Sequence, residues 1–102
     1  MKTANQIKEV LQIEKDMNKV VAENTEDSID IRGTLFHLKE IIQTMNGMAH
    51  KESNEKRMCF YMNVALDCEN MSKTLNVLAQ TIEGDNIAIN RQIIELKKDL
   101  SK

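Results

Sequence analysis

Apolar residues recur along this chain at alternating steps of three and four, the spacing that lines one face of an α-helix. The densest stretch runs from Met58 to Ile82, where Tyr61, Val64, Cys68, Met71, Leu75, Leu78 and Ile82 keep that rhythm. Between Met58 and Cys68 only Asn63 and Asp67 are polar, so this segment is apolar on more than one side and calls for neighbours in several directions. An earlier stripe consists of Ile7, Val10, Ile13, Met17 and Val20, widened by Leu11 and Val21. A second consists of Ile31, Leu35, Leu38, Ile42 and Met45, widened by Phe36 and Ile41. The last holds Ile89 and Leu96, broadened by Ile87, Ile93, Ile94 and Leu100.

Polar residues punctuate these stripes. Thr3 and Gln6 have the spacing of a capping box, which starts a helix near Ala4. Glu23 to Ser28 is a polar interval with two readings: a break with Thr25 as a new cap, or a polar layer inside one helix. The steps Val10, Met17, Asn24, Ile31, Leu38 and Met45 cross it without a phase shift, which favours the continuous helix. Glu83-Gly84-Asp85-Asn86 is a second interruption, and Ile82, Asp85, Ile89 and Leu96 also keep phase across it. Gly33 costs roughly 1 kcal/mol inside a helix and marks a weak point or a close helix contact. Asn46-Gly47 reads as a helix stop. The expected layout is one all-helical domain over 1–102, with arm one at about 4–46, a connection at about 47–53, and arm two at about 54–100. Ser53 is the expected cap of arm two.

The fold class is therefore all-α: a long antiparallel helical hairpin, or four shorter helices if both arms break. Absent proline, three glycines and three aromatic residues agree with helices rather than sheet. Two helices touching along one seam cannot cover stripes this wide. The hairpin is expected to pair with a second copy or another chain into a four-helix bundle. In a hairpin the two polar intervals lie near each other, as a register device, a flexible waist or a binding site.

Charge narrows the partners. The net charge is −2 and no basic cluster exceeds Lys56-Arg57 or Lys97-Lys98, so no nucleic-acid partner is expected. No apolar run approaches the roughly 18–20 residues of a membrane span, and the start has no signal-peptide core. Cys59 and Cys68 fall on opposite sides of one helix; two buried thiols fit a reducing, cytoplasmic setting. His37 and His50 have no ligand spacing around them, so neither metal nor cofactor is expected. Cys59 beside Arg57 reads as an inert thiol, and Glu23, Glu26, Asp27 and Asp30 as a solvated acidic face. No phosphate-cradling loop and no convergent polar set appears, so the chain does not read as an enzyme.

What remains is association. Seven methionines, several of them around the turn and central helix, suit an adaptable surface as well as core filling. The expected interface residues are Leu38, Ile42, Met45, Tyr61, Val64, Cys68, Met71, Leu75 and Leu78. The expected function is a non-enzymatic protein–protein interaction module, as an adaptor, a chaperone-like partner, or an inhibitor of a larger bacterial or phage-encoded machine. Its partner is itself, as a homodimer or higher oligomer, another protein, or both. A small-ligand binder at the paired polar intervals is the alternative from a different class. Met45-Asn46-Gly47-Met48-Ala49, near mid-chain, resembles the Trp-x-Gly turn of the WXG100 family of helical hairpins, with Met45 in place of the tryptophan. That resemblance implies a paired hairpin handled by a type VII secretion system.

Overall fold

In a computed structural model, which describes residues 2–101, the chain forms two α-helices. Helix α1 spans Ala4–Lys51 and α2 spans Glu55–Leu100, joined by Glu52, Ser53 and Asn54. The described residues contain no strand. The capping box opens α1 as its spacing requires: the Gln6 amide donates to Thr3 Oγ1 at 3.2 Å, and the Thr3 amide donates to Gln6 Oε1 at 2.8 Å. Both polar intervals are helical, so neither arm breaks.

Two boundary expectations are corrected. Helix α1 does not stop at Asn46-Gly47 but continues to Lys51, so the connection is residues 52–54 rather than 47–53. Gly47 takes no left-handed conformation, and a Cβ added to it would meet nothing within 4 Å. Its cost is the ordinary ~1 kcal/mol of a glycine in a helix. Continuing one more turn buries Ala49 in the seam, which sets a gain against that cost. The residues that resemble a WXG100 turn are thus helix, not turn. The cap of α2 is Asn54 and not Ser53: the Arg57 amide donates to Asn54 Oδ1 at 3.1 Å. The Asn54 amide in turn donates to Glu52 Oε1 at 3.0 Å, which holds the cap in place.

The chain divides into two compact units, one of residues up to 28 with residues from 80 on, the other of residues 29–79. In unit one the α1 positions turned from solvent are Val10, Glu14, Met17, Val21, Asn24 and Ser28. Those of α2 are Ile82, Asn86, Ile89, Ile93, Leu96 and Leu100, with Glu83 beside them. Lys97 pairs with Glu14 at 3.4 Å and Asn86 reaches Val21, so the helices run antiparallel. In unit two the covered positions are Ile31, Leu35, Leu38, Ile42, Met45 and Ala49 on α1. On α2 they are Met58, Tyr61, Ala65, Cys68, Ser72, Leu75 and Ala79, with Val64 and Asn76 at the margin. Every list advances by three and four, the heptad seam of a coiled-coil pair.

Gly33, Gly47 and Gly84 all lie in helix with open space where a Cβ would go, so Gly33 marks no close helix contact. Replacing each with alanine should raise unfolding stability by about 0.5–1 kcal/mol per site, read from denaturant midpoints. A loss at any of the three would mean that the site is packed after all. Asn54→Ala should lower stability by about 1 kcal/mol while Ser53→Ala leaves it unchanged; the reverse order would reinstate Ser53 as the cap.

Candidate functional site

The heptad seam of unit two has two flanks, and they differ. On one, Arg32 Nη1 donates to Asn76 Oδ1 at 2.8 Å across the helices. Each of these residues sits four positions after a seam residue, Ser28 and Ser72. In an antiparallel pair such positions share one flank, and the residues directly preceding Leu35, Ile42, Ala49, Met58, Ala65, Ser72 and Ala79 share the other. Those residues are Thr34, Ile41 and Met48 on α1, with Arg57, Val64, Met71 and Leu78 on α2. Arg57, next to the connection, is the charged member of that set. Val64 is half-covered, but Met71 is 52% exposed, Leu78 46%, Ile41 41% and Met48 39%. An open groove of about 370 Å³ runs along this flank between Asn70, Met71, Thr74 and Leu75.

All nine expected interface residues lie in unit two, and they separate into two groups. Leu38 and Cys68 are buried, and Ile42, Met45, Tyr61 and Leu75 are half-buried, all at seam positions. Those six are largely occupied in joining the two helices. Val64, Met71 and Leu78 are left on the open flank. Ile41 and Met48 join them there although the stripe reading had not chosen them. Their signal was a position one residue before the seam on the same side as Met71. The segment Met58–Cys68 keeps its multi-sided character: Phe60, Met62 and Leu66 are exposed, while Ala65 and Cys68 are buried. Phe60 packs edge-on against Tyr61 at 5.9 Å between ring centres and remains 62% exposed. Cys59 is exposed rather than buried, because it lies away from the seam that takes Cys68.

In unit one the two polar intervals do meet. Asn86 Nδ2 donates to Val21 O at 3.3 Å and to Thr25 Oγ1 at 3.2 Å. The Thr25 hydroxyl itself donates to Val21 O at 2.8 Å. Asn86 Oδ1 is enclosed and has no hydrogen-bond partner. On the flank opposite Lys97, an open groove of about 220 Å³ lies between Ile13, Asp16, Met17, Val20 and Ile89. His37 is exposed, with Nδ1 4.0 Å from Glu40 Oε2. Among the described residues no three His, Cys, Asp or Glu side chains gather as a metal ion would need. No described helix is long and apolar enough to cross a membrane.

The chain exposes 7798 Å². A compact monomer of its 11.7 kDa would expose roughly 5,900 Å² by the mass scaling of folded proteins. Compared with protein-family models, curated proteins and solved structures, the chain has no significant match.

Asn86 occupies a seam position yet leaves an acceptor unmet. Its partners each keep another bond: Val21 O retains Thr25, and Thr25 retains Val21. Asn86→Leu should therefore raise stability by about 1 kcal/mol, measured as a shift in denaturant midpoint at constant slope. Destabilisation would show that the amide is matched by a donor in the working protein.

Proposed function

We propose that this protein is a helical protein–protein interaction module, and that it binds through the open flank of unit two. One observation carries the reading: Ile41, Met48, Met71 and Leu78 stand exposed beside the seam, on the flank opposite the Arg32–Asn76 bond. A contiguous apolar surface beside a helical seam is a binding surface for another helix. An adaptor, an inhibitor and a chaperone-like partner all work through a surface of this kind. A four-helix bundle made from two hairpins is the arrangement that covers it most fully. The surface is built for association and not for bond-making, which supports a non-enzymatic role. A second reading, a small-ligand site at the Thr25–Asn86 layer, is supported by the enclosed Asn86 acceptor alone.

Photo-crosslinking tests the main reading. A photoreactive residue in place of Met71 or Leu78 should capture a second polypeptide in the native cell, either another copy or a different protein. The same residue in place of Gly33, on the outward face, should capture far less. Leu78→Glu should abolish capture at Met71 while leaving the helical circular dichroism intact. Equal yields at Met71 and Gly33 would overturn the assignment of the flank.

A further inference from the structure

We infer that unit one carries a docking surface of its own, an apolar trough with an acidic rim, whose occupant is a basic amphipathic helix of another protein. The inference goes beyond the unit-two reading. It stands on two separate observations, one of shape and one of charge.

The shape follows from the seam. In unit one the residues directly preceding Glu14, Val21 and Ser28 are Ile13, Val20 and Asp27, which form the flank column of α1. Ile13 is 46% exposed and Val20 42%. Met17, Ile89 and Leu96 stand beside them half-buried. The groove of about 220 Å³ at Val20 and Ile89 shares Ile13 and Met17 with a second groove of about 390 Å³, which reaches Leu96 and Asp99. The two form one trough along the helices.

The charge follows from the columns that border the trough. The rim of α1, four positions before Ile13, Val20 and Asp27, is Glu9, Asp16 and Glu23. On α2 the flank column is Asp85, Gln92 and Asp99, and its rim is Thr81, Ala88 and Glu95. Every charged residue that the helices place in these four columns is therefore acidic, and all are exposed. Lys19 on α1 and Arg91 and Lys98 on α2 stand one column further out. The opposite flank of the same unit is basic, with Lys8, Lys15 and Lys97 against Glu83. A chain of net charge −2 has thus sorted its charges by face.

Glu9, Asp16 and Glu23 are spaced by two helical turns, about 10 Å, too far apart to close on one cation. No metal-binding group of three forms among the described residues. Spread along an apolar floor, the carboxylates match a row of Lys or Arg on each edge of a docking helix, as flanking charges choose partners in coiled coils. The same flank of a second copy would set acid against acid. The chain's own exposed stripe of Ile87 and Ile94 has its neighbouring cations engaged within the chain: Lys97 pairs with Glu14 at 3.4 Å, Lys98 pairs with Glu95 at 3.5 Å, and Arg91 lines the trough itself. From Glu9 to Asp27 the trough is about 27 Å long, the length of a helix of about five turns.

The test uses the full chain and a synthetic helix of about five turns, with a leucine stripe edged on both sides by lysine. This peptide should bind, read by fluorescence anisotropy, with an affinity that falls as salt rises. A twin with glutamate in place of lysine should not bind. Asp16→Lys combined with Glu23→Lys should weaken binding roughly tenfold or more. Val20→Asn should weaken it with the helical circular dichroism intact, and Lys8→Glu combined with Lys15→Glu, on the opposite flank, should not. A photoreactive residue in place of Val20 should capture the peptide, and one in place of Ile94 should not. Equal binding of a scrambled peptide of the same composition would show attraction of charge alone and overturn the trough as a site. So would unchanged binding to Val20→Asn, or capture at Ile94 in preference to Val20. Self-association of the chain that Asp16→Lys and Arg91→Glu each abolish would make a second copy the occupant and overturn the separate partner.

Discussion

The structure depends on a seam that is too narrow for the apolar residues the chain carries. Two helices in contact cover little more than two columns of side chains each, and here many of those columns hold small residues. Ala49, Ala65 and Ala79 are buried, as is Ser28, and Ser72 is half-covered. Small seam residues let the backbones approach, but each removes little apolar surface from water. Among the described residues, Leu38 and Ile93 are the only large side chains buried in the seam. Long helices draw most of their stability from packing rather than propensity. A pair with so thin a core gains much when its remaining apolar columns are covered.

The two flanks divide that work. In unit two the Arg32–Asn76 bond bridges the helices with polar groups on one side. In unit one Lys97 reaches Glu14, and Asn86, itself a seam residue, reaches Thr25. Cross-helix polar bonds of this kind fix register and direction, which an apolar seam of small residues specifies poorly. In unit two the opposite flank has Ile41, Met48, Met71 and Leu78 exposed; in unit one it has the groove between Ile13, Asp16 and Val20. In unit two a polar bond on one flank thus sets the geometry of a helix pair whose other flank exposes large apolar side chains.

Much of the fold was legible. Thr3 and Gln6 announced the start of α1, and the unbroken three–four phase through Asn24 and Asp85 announced that both helices run on. The Asn46-Gly47 stop misled because glycine ends a helix only when its left-handed freedom is used, and Gly47 keeps helical torsion. Ser53 and Asn54 are both good caps by type, and the choice was made by Glu52, whose carboxylate holds the Asn54 amide. The candidate site was half legible. Tyr61, Cys68 and Leu75 look like Val64, Met71 and Leu78 in a one-dimensional pattern, since all belong to one stripe. Telling the seam column from the flank column requires knowing where the second helix lies, and a single polar bond supplies that knowledge.

Several features hold the isolated chain below the stability its sequence length permits. Gly33, Gly47 and Gly84 each give up helix stability where an alanine would fit. Asn86 keeps an enclosed acceptor without a donor, and Glu14 sits at a seam position, paired with Lys97. The glycines are not required by the hairpin's own packing. If a partner covers the open flank, as proposed, such weaknesses have a consequence: binding to the folded form would add stability that rises with partner concentration. A lone hairpin with optimised helices would gain less from association and would respond less to it. On the proposed reading, the thin seam, the outward glycines and the open flank are parts of one arrangement, in which folding and binding would draw on the same apolar surface.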